Sequence, residues 1–104
     1  MVESRARLSE SAQATIRDTV QEVFGPRARV LLFGSRTDPE ARGGDIDLLV
    51  QCPEPLPDAR QRELTLVARL QTRLGDQRID VIVEDADSEP QAIHREAHRT
   101  GIVL

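Results

Sequence analysis

The apolar and polar positions divide the chain into seven segments. Ile16, Val20, Val23 and Phe24 recur at helical spacing, while Arg17, Asp18, Gln21 and Glu22 fall on the opposite side. That pattern predicts a helix opened by Ser9 or Ser11 and closed at Phe24, since Gly25-Pro26 cannot continue it. Arg29 to Phe33 is a short, mostly apolar run of the kind that lies inside a sheet. It ends at Gly34-Ser35. Asp38-Pro39 and Gly43-Gly44 then rule out a long element over 36–44, although one helical turn starting at Ser35 fits. Asp45 to Cys52 reads as a second strand. Alternation puts Asp45, Asp47 and Leu49 on one face, with Ile46, Leu48 and Val50 on the other.

Pro53, Pro55 and Pro57 form a stiff connector, and Asp58 caps a helix that Gly75 closes after Leu74. Its apolar stripe is read as Leu64, Val67, Ala68 and Leu74, widened by Leu66 and Leu70. Arg60, Arg62, Arg69 and Arg73 are read as a solvated face, with an acidic partner surface as the alternative. Arg78 to Glu84 is a third strand, with Asp80 and Ile82 on one face and Ile79, Val81 and Val83 on the other. A last helix over Ser88 to Thr100 opens near Pro90, has little apolar content beyond Ala92, Ile93 and Ala97, and ends at Gly101. The closing Ile102-Val103-Leu104 can meet a partner or tuck against the chain's own sheet. The order predicts one α/β (α+β) domain over 1–104, with a mixed sheet of three strands or slightly more and helices mainly on one face.

Composition narrows the chemistry. All fourteen basic residues are Arg, so a lysine nucleophile and a P-loop lysine are excluded. The net charge of −4 disfavours a free-standing nucleic-acid binder, so no direct nucleic-acid binding is expected. The single cysteine, Cys52, precludes an internal disulfide and reads as a small buried hydrophobe rather than a nucleophile. No signal peptide and no membrane-length apolar run is present, which makes a cytoplasmic protein the expectation. His94 and His98 share a helix face but depart from the zinc-binding His-Glu-x-x-His order, so they are read as surface or partner-facing.

The chemistry concentrates in the carboxylates. Asp45 and Asp47 stand about 7 Å apart along one strand face, from a rise of roughly 3.3 Å per residue. They read either as a solvated strand start or as ligands for a hard cation, which takes one or two carboxylates and completes its shell with water and phosphate oxygens. Gly34-Ser35 reads either as a capped turn or as a close backbone approach to phosphate. Asp80 projects from the same face as Asp45 and Asp47 if its strand lies beside theirs. Three converging carboxylates would then repel unless a cation neutralised them. Two metal ions with an in-line displacement suit such a set.

The stretch GSRTDPEARGGDIDLLV, followed by RIDVIV, resembles the nucleotidyltransferase signature of the DNA polymerase β superfamily. That signature is Gly-Ser, a spacer, Asp-x-Asp within an apolar strand, and a third carboxylate on a later strand. The spacer, Arg36 to Gly44, is nine residues, one shorter than the commonest form. The element order and the ending GIVL are similar to the minimal nucleotidyltransferases, small proteins usually paired with a HEPN-domain toxin. The resemblance implies that Gly34 and Ser35 bind the triphosphate and that Asp45, Asp47 and Asp80 act as catalytic metal ligands for Mg²⁺, two ions with nucleotide bound. Arg36 reads equally as a phosphate contact or a surface residue, and the short spacer leaves Arg42 unplaced. The implied reaction moves a nucleoside monophosphate, typically AMP from ATP, onto a tyrosine of the HEPN ribonuclease toxin within a hetero-oligomer. The chain has no Tyr, so such an acceptor must lie on another molecule. Two alternatives stand beside this: a non-enzymatic antitoxin that masks its partner, and a transferase for a small molecule such as an aminoglycoside.

Overall fold

The computed structural model describes residues 8–34, 45–75, 77–89 and 91–104. The elements run α1 (Glu10–Phe24), β1 (Arg29–Phe33), β2 (Ile46–Gln51), α2 (Ala59–Leu74), β3 (Ile79–Glu84), α3 (Ala92–Thr100) and β4 (Ile102–Val103). They build a small α+β fold around a four-stranded mixed sheet of order β3-β2-β1-β4. Strands β1 and β2 pair antiparallel, as do β1 and β4, whereas β2 and β3 pair parallel. The parallel pair needs the long crossover through α2.

Helix α1 starts where Ser9 accepts a bond from the Ala12 amide at 3.0 Å, a cap worth about 1 kcal/mol. Asp58 precedes α2 without capping it through its side chain, and instead accepts from Arg62 Nε at 2.9 Å. The apolar stripe of α2 also sits at a different phase from the expected one. Leu66 and Leu70 are the fully buried positions, whereas Leu64 is 55% exposed and Ala68 faces solvent. The arginines beside that stripe reach across to α1. Arg62 donates to the Val23 carbonyl at 2.9 Å, and Arg73 binds Glu22 and donates to Thr19 Oγ1 at 2.7 Å. Arg69 stands 3.7 Å from Glu22. What reads in sequence as a solvated charged face therefore clamps α2 onto α1.

Alternation along the strands separates two cores. Val30, Leu32, Ile46, Leu48, Val50, Ile79 and Val81 pack beneath α1 and α2 with Ile16, Val20, Leu66 and Leu70. On the other face Leu31, Phe33 and Leu49 meet Ala97 of α3, with Ile82 alongside. Two of the three helices thus share one sheet face, and the third lies on the other.

The chain end tucks against its own sheet. Ile102 and Val103 pair with Leu32 and Leu31, and the Leu104 amide bonds the Val30 carbonyl at 3.0 Å. Gly101 makes the sharp exit from α3 feasible, because a Cβ there would lie 2.2 Å from the Ala97 carbonyl oxygen and 3.1 Å from Leu31. Helix α3 itself starts at Ala92, later than expected. It buries Ala97 and also His94, which is not a surface residue. Among the described residues no helix is long and apolar enough to cross a membrane.

Candidate active site

The strand registers order the α3 face of the sheet into three rows. Phe33, Asp47 and Asp80 are cross-strand neighbours at one end. Leu31, Leu49 and Ile82 form an apolar middle row, over which Ala97 of α3 packs. Arg29, Gln51 and Glu84 form the row at the far end. Pairing of β2 and β3 in parallel, with Asp47 directly opposite Asp80, is what brings the predicted carboxylates together from residues 33 positions apart.

Asp47 is half-buried, Asp80 is exposed, and Asp45 stands just before β2. Burial pushes the Asp47 carboxyl above its usual range, and the charges of Asp80 and Asp45 push it further in the same direction. Asp47 therefore lies within the field of both other acids. Arg78, directly before β3, places Nε 3.6 Å from Asp45 Oδ2. It is the one cation among the described residues within ion-pair distance of this set, and sequence reasoning took it only as a strand start. The available signal was its position two residues before Asp80.

Gly34 ends β1 in the left-handed region at φ 77°. A Cβ at this position would lie 2.3 Å from Asp47 Oδ2. Glycine is thus demanded twice, by the backbone and by the carboxylate that occupies the side-chain space. Sequence reasoning assigned Gly34 to phosphate approach and missed its contact with Asp47. Ser35, Arg36, Arg42 and the helical turn expected from Ser35 lie outside the described residues.

Hard, anionic oxygen donors that repel one another suit a hard dication such as Mg²⁺. Among the described residues, however, no group of three or more His, Cys, Asp or Glu side chains is gathered closely enough to hold a metal ion alone. The aspartates therefore fit an ion that brings water and phosphate oxygens with it, rather than a closed protein cage. A cleft of about 380 Å³ runs along β3 between the starts of α2 and α3, and the three aspartates are not part of its lining.

The far row behaves differently. Glu84 accepts from Gln51 Nε2 at 3.1 Å and lies 2.8 Å from His98 Nε2. Since a carboxylate only accepts, the proton sits on that imidazole nitrogen. His94 keeps its side chain 8% exposed, with Nδ1 3.6 Å from Glu84, too long for a hydrogen bond. That nitrogen has no hydrogen-bond partner among the described residues. Burial also raises the Cys52 thiol pKa, which fits a packed residue and not a nucleophile.

Comparison with known proteins agrees with this architecture. The family described as nucleotidyltransferase domain matches residues 14–102. Two crystal structures of the toxin–antitoxin MntA-HpeT share the fold. One is a mutant with two aspartates changed to glutamate, at TM-score 0.63 and 20% identity over 88% of this chain and 70% of that chain. The other is a tyrosine-to-alanine mutant, at TM-score 0.63 and 21% identity over 93% of this chain and 72% of that chain. No curated protein matches the sequence.

Proposed function

From the premise that this chain belongs to the nucleotidyltransferase domain family, we propose that it transfers AMP from ATP to a hydroxyl of a partner protein, as an antitoxin silencing a HEPN-type ribonuclease toxin. The observation that carries the reading is the pairing of Asp47 with Asp80 across β2 and β3, with Asp45 close enough to act on Asp47. A protein that merely masks a partner gains nothing from placing like charges together. The fold's likeness to a toxin–antitoxin structure supports the choice of partner class. The lack of Tyr in the sequence supports an acceptor on another chain.

Asp45 and Asp47 would hold Mg²⁺, with Asp80 contributing at the side where the acceptor arrives. When bound, the ion neutralises charge on the α-phosphate and makes the attacking hydroxyl more acidic. Gly34 keeps its backbone against Asp47 and fixes that carboxylate's position. The acceptor oxygen bonds to the α-phosphorus as the bond to the leaving pyrophosphate breaks, and Asp80 takes the hydroxyl proton. In the described part of the protein, the site's contribution is mostly placement and charge. Acceptor recognition falls to the partner.

The test is incubation of the protein with Mg²⁺, α-labelled ATP and a HEPN-type partner, followed by detection of label on the partner's tyrosine. Label is expected with the wild type and absent with Asp45→Asn/Asp47→Asn. Protection by that double variant equal to the wild type's would replace transfer with masking. Label found only on an added aminoglycoside would move the reading to small-molecule transfer.

A further inference from the structure

Arg78 is not accounted for by the arrangement above. Its carbonyl accepts from the Ile46 amide at 2.9 Å, so its backbone is pinned where β2 and β3 both begin. Its side chain reaches Asp45, yet the 3.6 Å separation exceeds hydrogen-bond length and leaves a loose Coulombic pair. Both partners are open to solvent, at 78% exposure for Arg78 and 42% for Asp45. Such pairs are weak and break easily. A guanidinium keeps its charge at any working pH and offers a planar fork that matches phosphate oxygens. Asp45 is thus held by a cation that is cheap to remove.

Resting on the nucleotidyl-transfer reading, we infer that Arg78 is a transferable counterion: it pairs with Asp45, yields that carboxylate to the metal of an incoming metal–triphosphate, and then binds a phosphate oxygen of the nucleotide. The charges make the exchange reasonable. A metal–triphosphate is still anionic when it approaches a site walled by three carboxylates, so a mobile cation at the rim lowers the repulsion. The same cation left on Asp45 would compete with the metal. Moving from carboxylate to phosphate resolves both conflicts with one side chain, and the anchored backbone keeps the guanidinium within reach of either partner.

Binding measurements without any acceptor test this directly. Mn²⁺ binding alone and ATP binding in Mg²⁺ are each followed by calorimetry for wild type, Arg78→Gln and Arg78→Lys, with thermal melts to check folding. For Arg78→Gln, loss of the competing charge is expected to tighten Mn²⁺ about threefold. Loss of a charged phosphate contact is expected to weaken ATP about tenfold. Arg78→Lys should hold an intermediate ATP affinity, since it keeps charge but not the fork. Opposite signs for metal and nucleotide mark the exchange. ATP affinity within twofold of wild type in a folded Arg78→Gln protein overturns the inference alone, as does weaker Mn²⁺ binding. If the wild type fails to bind ATP in Mg²⁺, the transferase reading falls and takes this inference with it.

Discussion

The two ends of the α3 sheet face carry the same kind of residue in opposite circumstances. At the far end Glu84 is shared among Gln51, His98 and the nearby His94. Just beyond it, Asp85 accepts from the Leu56 and Asp87 amides at 2.8 and 2.9 Å and from Ser88 Oγ at 3.1 Å. Those donors hold the Asp85 carboxyl below its usual range, the Leu56 amide foremost. At the near end, burial and neighbouring carboxylates push Asp47 the other way. Β3 runs between the two ends, and Asp80 and Glu84 are separated by roughly 13 Å at the usual strand rise. One group of acids is supplied with donors and stabilises the fold. The other is left, among the described residues, with Arg78 as a loose counterion to three carboxylates, a surplus of charge that suits a cation-binding role.

Breaking the near end should have the largest effect. Asp47→Asn is expected to lower the rate of label transfer to the partner by about a thousandfold, comparable to removing a major electrostatic group from other active sites. A folded Asp47→Asn protein that retains a tenth or more of wild-type transfer would remove Asp47 from the chemistry. Gly34→Ala comes next. It forces a non-glycine residue to φ 77° and drives a methyl group into Asp47 Oδ2. The backbone strain alone costs about 1–3 kcal/mol, and displacement of Asp47 should reduce transfer as well. Equilibrium denaturation and single-turnover labelling check the two parts. Unchanged stability would show that Gly34 sits differently.

The far end should answer only in stability. Glu84→Ala leaves the Gln51 amide and the His98 imidazole without their acceptor, a loss of about 0.5–1.5 kcal/mol by denaturant unfolding, since water can reach His98. Transfer per folded molecule should remain close to wild type at low temperature. A selective fall in transfer with stability intact would erase the division between the two ends.

Much of this contrast was legible from sequence because strands declare themselves by period two. Asp45, Asp47 and Asp80 could be assigned faces from alternation alone, on the condition that β3 lay beside β2; the register meets that condition and sets Asp47 opposite Asp80, a partner that periodicity does not name. Helical phase was harder. In α2 the stripe was read on Leu64, Val67, Ala68 and Leu74, whereas the fully buried positions are Leu66 and Leu70, and Arg62 and Arg73 make contacts with α1 that no local pattern reveals. His94 was misjudged for a related reason. The thin apolar content of α3 gave little sign of a buried face, yet Ala97 packs with Leu31, Leu49 and Ile82, and His94 one turn earlier is buried too. The contact of Gly34 with Asp47 depends on the exact end of β1, and sequence periodicity does not fix ends to one residue.

The smallest effect separates the two ends by pH. Asp47 has its folded pKa raised above 3.8, so its contribution to stability is full below the unfolded value and is lost as pH rises through the folded one. At neutral pH its ionised form therefore weighs against the fold. Asp85 has its folded pKa lowered from 3.8, so its contribution is present above the unfolded value and is lost as pH falls through the folded one. In chelator at pH 7, Asp47→Asn should melt slightly higher than wild type and Asp85→Asn lower. Both differences should shrink as the buffer is taken through the acid range, the first while Asp47 in the wild type becomes protonated, the second only once Asp85 does. Saturating Mg²⁺ with ATP should reverse the first difference, because ligand binding stabilises only the protein that retains its carboxylates. An Asp47→Asn protein that melts below wild type in chelator would mean that Asp47 is satisfied by partners of its own, and the two ends would no longer differ in kind.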